Sequence, residues 1–252
     1  MGKFRNFWQL SLALAKAQFK LRNEGSYLGI FWYLLNPLLM FVLLLLIFSN
    51  RLGTNIPHYP LYLLLGIIMY NFFNQITSFS LITMNDNREI IKSINFSRES
   101  LVASNVLRTL FAHLFEIAIF IIIVLFFGAF NSSFIFYVPI LIVFSIFIYG
   151  LSLILSSFYI YFIDIDNIWL FVSKLIFFAT PIFYEVEKGS KLFLLNLFNP
   201  LYYFITIARE FVIYNKLPEA WLIVGALAYS VIFFIIGSLI FSKLKRKFAE
   251  MI

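Results

Sequence analysis

The stretch AKAQFKLRNEGSYLGIFWYLLNPLLM, residues 15–40, decides the fold, because a basic amphipathic segment passes here directly into an apolar one. The two segments meet at Gly25 and Ser26, and the apolar one contains an Asn-Pro pair. Basic amphipathic helices lie in the plane of a membrane surface, whereas long apolar helices cross the membrane. The stretch therefore predicts a chain that lies on a membrane and then enters it.

The composition of the whole chain points the same way. Of its 252 residues, 62% are hydrophobic and 12% are charged, and the mean hydropathy is +0.94. Charged residues make up about a quarter of an ordinary soluble domain, so the composition predicts an integral membrane protein. A helix needs about 20 apolar residues to cross the hydrocarbon core. Six segments of about this length predict an all-α polytopic fold in one transmembrane domain, residues 1–252: 28–49, 61–83, 101–127, 134–161, 168–183 and 221–241.

The basic residues set the orientation of the predicted spans, because Lys and Arg concentrate on the cytoplasmic side of a membrane. One set of connecting segments holds Lys3, Arg5, Lys16, Lys20, Arg22, Arg88, Lys92, Arg98, Lys243, Lys245, Arg246 and Lys247, and the opposite set holds Arg51, Lys188, Lys191, Arg209 and Lys216. Both termini are therefore expected to be cytoplasmic. The net charge of +7 follows from this topology and does not indicate nucleic-acid binding.

Several kinds of chemistry lack the residues that they need. Cysteine is absent and the only histidines are His58 and His113, which argues against disulfides, thiolate nucleophiles and a metal centre. The sequence has neither a G-x-x-x-x-G-K-[ST] phosphate loop nor a glycine-rich dinucleotide fingerprint. We therefore expect no cofactor, no metal and no ATPase site in this chain; any ATP and Mg would be bound by a separate partner subunit.

Residues 1–24 are predicted to form an amphipathic helix in the cytoplasmic interface. At 100° per residue, Arg5, Gln9, Lys16 and Lys20 fall within about 60° of one another, and aromatic and leucine side chains occupy the remaining arc. The helix is either a simple membrane anchor or also part of a docking surface for a cytoplasmic partner. The sequence leaves both interpretations open.

Asn36 and Pro37 predict a helix break inside the first span. Pro37 cannot donate a hydrogen bond to the carbonyl of Tyr33, and Asn36 could satisfy the backbone group that is freed. A kink with a polar side chain beside Trp32 and Tyr33 suits a pore wall. A packing kink against a neighbouring helix is an equally consistent interpretation.

Two connecting segments are too apolar to be simple loops. Residues 85–98 on the cytoplasmic side interleave isoleucines and Phe96 with charges. This pattern favours a short helix that presents an apolar and basic face to another protein over a helix that merely lies in the membrane interface. Residues 185–219 on the external side predict a re-entrant or interfacial helical hairpin, broken at Asn199 and Pro200. Such a hairpin is either a gate over an exit or a rigid lid.

Ionisable residues inside the predicted spans are the remaining candidates for chemistry. His113 and Glu116 are three residues apart and lie on one helix face, where they form either a proton relay or a packing contact. Asp164 and Asp166 mark a short cytoplasmic turn, and Lys174 lies in the span that follows. Helix capping and topology explain these two aspartates without a catalytic role.

Four stretches, in order and spacing, resemble the permease subunit of type-2 ABC polysaccharide exporters. They are GSYLGIFWYLLNPLL (25–39), INFSRESL (94–101), ATPIFY (179–184) and NPLYYFITIARE (199–210). The resemblance covers essentially the whole chain, and it includes both the O-antigen exporter permease (Wzm-like) and the wall teichoic acid exporter permease. It implies a homodimer that binds two cytoplasmic ABC ATPase subunits and moves undecaprenyl-diphosphate-linked polysaccharide, most simply O-antigen, outward across the bacterial inner membrane.

The resemblance also implies roles for particular segments and residues. Residues 85–98 would be the coupling helix, and 185–219 the external gate. The implied ATPase contacts are Asp86, Arg88, Glu89, Lys92, Phe96 and Arg98. Because the first two spans would line the channel and aromatic rings stack on sugars, the expected substrate path is Trp32, Tyr33, Tyr62, Tyr70, Phe72 and Phe73.

The chain departs from the family at one place that concerns lipid phosphate. The common R-Y-R-G-S before the first span reads Arg22-Asn23-Glu24-Gly25-Ser26, so Glu24 replaces a basic residue. Lys20, Arg22 and Arg88, with Arg51 as a further possibility, are then the candidates for contact with a lipid diphosphate.

Three alternatives to polysaccharide export follow from the sequence. A type-2 ABC exporter of drugs or free lipids would be stimulated by small hydrophobic compounds. A proton-coupled secondary transporter would use His113 and Glu116 and would need no ATPase. A membrane-embedded glycosyltransferase or acyltransferase would need an acid, base or metal cluster, for which only Asp164 and Asp166 are available.

Overall fold

The computed structural model describes residues 2–23, 31–94, 96–245 and 248; for residues 2–5, 22, 23 and Tyr33 it describes the backbone alone. Within these ranges the chain is helical and has no strand. The helices are α1 (Gly2–Asn23), α2 (Phe31–Phe48), α3 (Tyr59–Asp86), α4 (Arg88–Ser93), α5 (Glu99–Phe126), α6 (Tyr137–Tyr159), α7 (Ile165–Ala179), α8 (Lys191–Leu197), α9 (Pro200–Val212) and α10 (Ala220–Leu244), with a 3-10 turn at Ser132–Phe136.

Helix α3 is the centre of the bundle. It packs against α2, α5, α6, α7 and α9, and most of its side chains are buried. Pro60 at its first turn suits a helix start, where a missing N–H costs nothing. Because protein surrounds α3 on most sides, the helix tolerates more polar residues than a helix that faces lipid.

A helix lies at each of the six predicted spans, but not all of these helices are long and apolar enough to cross a membrane by themselves. Three meet that requirement: α5, α6 with its preceding 3-10 turn, and α10. The bent pair α8 and α9 would make a fourth if it counts as one span. Among the described residues α2 is shorter, α3 is more polar and α7 has 15 residues. The count of six crossings stays a prediction.

Two predicted features of the first span have different outcomes. The turn at Gly25 and Ser26, together with Glu24, lies outside the described residues. Helix α2 runs from Phe31 to Phe48, so Asn36 and Pro37 lie inside one helix. The side chain of Asn36 is exposed. A proline inside a helix still leaves one carbonyl without its donor, here that of Tyr33, and a bend at this point stays a prediction.

Helices α6 and α10 meet at a pair of glycines. A Cβ atom at Gly237 would lie 2.1 Å from the carbonyl oxygen of Gly150, and one at Gly150 would lie 2.5 Å from the backbone of Phe233. Small residues let membrane helices approach until their backbones touch. This contact fixes the last helix against the bundle.

We expect Gly237→Ala to destabilise the protein by about 1–3 kcal/mol, because the added methyl group meets backbone that cannot move aside by a rotamer change. The measurement is the thermal unfolding midpoint of the purified protein in detergent. Ala228→Val, on the exposed side of α10, is the control and should stay within about 0.5 kcal/mol. Equal midpoints for the two variants would contradict the close approach.

Candidate functional site

Helix α4, in the segment predicted to be cytoplasmic, has one buried anchor and one exposed face. Its Ile91 is 4% exposed and packs into a cluster with Met84, Leu101 and Phe241. The remaining apolar residues of this segment, Ile90 and Ile94, are 39% and 57% exposed. Arg88, Glu89 and Lys92 are exposed as well. The α4 face, defined as Ile90, Ile94 and these three charged residues, therefore offers apolar and charged groups to a partner.

The six residues predicted to contact an ATPase divide into two groups. Asp86, Arg88, Glu89 and Lys92 are exposed. Phe96 instead packs on the cluster around Ile91, and Arg98 donates a hydrogen bond to the backbone carbonyl of Lys245. Glu99 forms an ion pair with the ammonium group of Lys245. Phe96 and Arg98 thus help to join the start of α5 to the end of α10.

The candidates for lipid-diphosphate contact lie on separate helices. Lys20 is exposed on α1, and Arg88 is exposed on α4. The side chain of Arg22 lies outside the described part of the chain. Helix α1 packs against α5 through its fully buried Ser11 and Ala15, so its basic side is directed away from the bundle. A shared phosphate site for these residues stays a prediction.

Four of the six aromatic residues predicted to line a path lie in the interior of the chain. Tyr62 donates its hydroxyl to the carbonyl oxygens of Pro181 (3.2 Å) and Tyr184 (2.7 Å), and Tyr70 donates to that of Ser173 (2.6 Å). Phe72 packs on Phe144 and His113, and Phe73 stacks on Phe147. Trp32 is 51% exposed on α2, and the side chain of Tyr33 is outside the description. Among the five of these aromatics whose side chains are described, Trp32 alone is exposed, so a path along these rings stays a prediction.

A different side of α3 is polar. Asn71, Asn74 and Gln75 are partly exposed and Ser78 is exposed, at a spacing that puts them on one helix face. The side-chain oxygens of Asn74 (Oδ1) and Gln75 (Oε1) have no hydrogen-bond partner. The sequence reasoning missed this face, although its spacing of three and four residues was visible in the sequence.

Helix α7 carries a lysine, Lys174, level with the midpoint of α3. The carbonyl of Ser173 accepts the hydroxyl hydrogen of Tyr70, which is near the midpoint of α3. Lys174 is the next residue and is exposed. A lysine at the centre of a membrane helix costs about 2.5–3.5 kcal/mol when it faces lipid, so such residues usually face water or polar groups.

Arg209 of α9 is the most extensively bonded buried charge among the described residues. Its Nε and Nη2 donate to the carbonyl of Tyr62 at 3.2 and 3.0 Å, Nη1 to Pro181 at 2.7 Å, and Nη2 to Ile182 at 2.9 Å. The guanidinium carbon lies 3.3 Å from the centre of the Tyr62 ring. Gly66 leaves the space that the guanidinium group of Arg209 occupies, because a Cβ atom at this position would lie only 2.5 Å from Nη2.

The segment after α7 is not helical, and side chains satisfy its backbone. The carbonyls of residues 181–184 accept hydrogen bonds from Tyr59, Tyr62 and Arg209. Irregular backbone within a membrane protein persists where protein groups replace the missing helical partners. These bonds join α3, α9 and the segment after α7 into one unit.

The predicted external hairpin consists of α8 and α9, which meet at an angle of 101°. Asn199 caps α9 by accepting from the N–H of Leu201, and it donates to the hydroxyl of Thr180 at 2.8 Å. Helix α9 is largely buried, whereas α8 exposes several apolar side chains: Leu192, Leu194 and Leu195, followed by Phe198. Beyond α9, hydrogen bonds from Lys188 and Trp221 lower the pKa of the exposed Glu219 carboxyl. The break is where the sequence predicted it, and its position relative to a membrane stays a prediction.

His113 and Glu116 are hydrogen-bonded, as their spacing indicated. His113 Nδ1 lies 2.9 Å from Glu116 Oε2, and His113 Nε2 lies 2.8 Å from the hydroxyl of Tyr137. The ring of Phe72 packs against the imidazole of His113, and the ring of Phe134 packs against that of Tyr137. The three side chains are buried among aromatics, which fits a packing contact better than a relay between two aqueous phases.

Comparison with known proteins identifies the class. Residues 9–213 match the family described as ABC-2 type transporter, and the chain belongs to this family. It is the membrane subunit of a type-2 ABC exporter, a multi-pass class that pairs with an ABC ATPase subunit. The resemblance drawn from the sequence is confirmed.

Three curated relatives are similar over nearly the whole chain. The O-antigen export system permease protein RfbA of Myxococcus xanthus is 25% identical over 247 residues, covering 96% of this chain and 95% of the relative. Two Klebsiella pneumoniae proteins of the same name are 27% and 29% identical over 249 and 248 residues, each covering 97% of this chain and 95% of the relative.

Proposed function

We propose that the chain forms the transmembrane channel of an exporter that moves undecaprenyl-diphosphate-linked polysaccharide, most simply O-antigen, across the bacterial inner membrane. The observation that carries this proposal is the similarity to three O-antigen export permeases over almost the entire chain. A match confined to a few motifs would support only a shared fold. Here the cytoplasmic segment, the hairpin and the spans all fall within the similar region.

Energy for transport would come from partner subunits. The channel would be a homodimer with cytoplasmic termini, bound to two copies of an ABC ATPase that hold ATP and Mg. The α4 face supports this arrangement, because its exposed isoleucines and charges are what a helix docked in a partner groove presents. The buried Ile91 would transmit movement of α4 to α3, α5 and α10.

The external hairpin would act as the exit gate, with one fixed and one movable half. Arg209 holds α9 to α3 and to residues 181–184, so α9 would stay with the bundle. Helix α8 is exposed and is joined through the capped break at Asn199. Movement of α8 about this break would open and close the exit.

The test is to isolate the chain from native membranes and to assay the purified assembly for ATP hydrolysis. We expect an ABC ATPase to copurify, and we expect its turnover to respond to undecaprenyl-linked polysaccharide. Stimulation by small hydrophobic compounds and not by glycolipid would favour a drug or lipid exporter. Isolation of the chain without an ATPase, and without a response, would overturn the proposal.

Glu116→Gln separates the proposal from proton-coupled transport. The amide retains a hydrogen-bonding group toward His113, so we expect polysaccharide export to remain within about twofold of the unmodified protein, a difference well below 1 kcal/mol. The measurement is polysaccharide reaching the outer surface of cells that depend on this chain. Loss of export at equal protein level would contradict the expectation and restore a proton-transfer role for Glu116.

A further inference from the structure

We propose that a polar face shared by α3 and α7 binds the sugar hydroxyl groups of the transported chain. The polar face is defined as Asn71, Asn74, Gln75 and Ser78 of α3 with Lys174 of α7. The inference rests on the proposed function and names the part of the wall that the sugars contact. It differs from the aromatic path, whose α3 members lie inside the bundle.

The direction of the polar face follows from helix geometry. Phe72 and Phe73 point toward α6, since they contact Phe144 and Phe147. At 100° per residue, the mean direction of Asn71, Asn74, Gln75 and Ser78 is about 160° away from that of the two phenylalanines. The polar face is therefore on the side of α3 opposite α6.

Helix α7 borders this side of α3. The hydroxyl of Tyr70 donates to the carbonyl of Ser173 at 2.6 Å, and the indole N–H of Trp169 donates to the hydroxyl of Thr77 at 3.3 Å. Asn74 lies one turn from both of these α3 residues. Lys174 is exposed and lies about 100° around α7 from Ser173. We assign its ammonium group to the same opening as the amides.

The polar face offers both donors and acceptors. The amides of Asn71, Asn74 and Gln75 each carry an NH2 donor and an oxygen acceptor, Ser78 carries a hydroxyl, and Lys174 is a donor. The Oδ1 atom of Asn74 and the Oε1 atom of Gln75 are closed to solvent and have no donor in this conformation, so a ligand would reach them after a side-chain rotation. A sugar hydroxyl both donates and accepts and can pair with all of these groups, whereas a diphosphate only accepts and would leave the amide oxygens without a donor. The matching ligand is polyhydroxylated.

The position along α3 places this contact in the inner half of the path. Asn71 lies close to the midpoint of α3, and Asn74, Gln75 and Ser78 lie between this midpoint and the end of the helix at Asp86, just before α4. Sugars entering from the cytoplasm would meet the polar face before they reach the hairpin. An ammonium group with amides at this depth keeps the inner wall hydrated, which lets a polar chain slide without binding tightly at one point.

The absence of native cysteine allows a direct test by thiol labelling. Ser78→Cys and Asn74→Cys are made in the complete complex with its ATPase, with Thr77→Cys, which is buried against α7, as the matched control. A charged, membrane-impermeant thiol reagent is added to inside-out vesicles. We expect Ser78→Cys to react at least about tenfold faster than Thr77→Cys, because the thiolate forms only in contact with water.

Protection from labelling identifies the ligand. We expect undecaprenyl-diphosphate-linked polysaccharide to slow the labelling of Ser78→Cys and Asn74→Cys, and undecaprenyl diphosphate without sugar to have no such effect. Equal labelling of Ser78→Cys and Thr77→Cys, or equal protection by the bare carrier, would overturn the inference. If the unmodified complex shows no ATPase response to glycolipid, the proposed function fails first, which separates the two results.

Lys174→Met provides a second measurement that does not depend on cysteine. We expect the glycolipid concentration that half-maximally stimulates the ATPase to rise about threefold or more, the effect of losing one hydrogen bond of about 0.5–1.5 kcal/mol. Lys243→Met, at an exposed position in the last turn of α10, is the matched control and should leave that concentration unchanged. Equal values for the two variants would overturn the role assigned to Lys174.

Discussion

Arg209→Met is expected to lower the free energy of unfolding by about 3–5 kcal/mol, because three buried carbonyls lose a charged donor at once. Those carbonyls belong to Tyr62, Pro181 and Ile182, which lie on two separate segments. Methionine is similar in length but donates nothing. The measurement is the thermal unfolding midpoint in detergent, followed by proteolysis to locate the loosened region, which we expect at residues 181–199.

Two further variants sharpen this prediction. Arg209→Lys keeps the charge but not the planar fork, so we expect it to recover only part of the stability. Arg51→Met, at an exposed arginine before α3, is the matched control and should change the midpoint little. If Arg209→Met and Arg51→Met unfold at the same temperature, Arg209 does not hold the hairpin.

The double substitution Ile90→Asp and Ile94→Asp should separate the permease from its ATPase. Burial of one isoleucine contributes about 1.5–3 kcal/mol, so replacing two anchors with carboxylates should weaken association more than a hundredfold. Both side chains are exposed in the permease, so its own fold should be retained. The measurement is recovery of the ATPase with the purified permease, together with polysaccharide export in cells.

Leu52→Asp provides the comparison for this double variant. Leu52 is 39% exposed in the turn between α2 and α3, at the opposite end of α3 from α4. We expect it to leave ATPase recovery unchanged. Normal recovery of the ATPase with the double variant would show that the α4 face is not the docking surface.

Much of the secondary structure was predictable, because apolar runs of spanning length leave few other conformations. A helix was found at each predicted span, a short helix in residues 85–98, and a break beside Pro200. Pro37 lies inside α2, and the predicted kink there stays a prediction. The sequence pattern gives hydrophobicity but does not say which group pairs with the carbonyl that the proline leaves free.

The candidate site was less predictable, because residue type does not reveal direction. Tyr62 and Tyr70 have the chemistry of a sugar contact, yet their hydroxyls satisfy backbone carbonyls in the bundle. Arg209 was counted only as an external positive charge, whereas it lies buried and bonded. Its three partners are far from it in sequence, so only the folded chain shows the contact.

Helix α3 has a mechanical consequence for an exporter. One residue, Asn87, separates its end from α4, and its opposite end carries the tyrosines that bind residues 181–184. With 28 residues, α3 is a rigid strut of about 42 Å. In the proposed exporter, movement of α4 by a bound ATPase would therefore reach the tyrosines at the other end of α3 through one continuous helix. Coupling between the two ends would then depend on the position of a single helix and not on a relay of side chains.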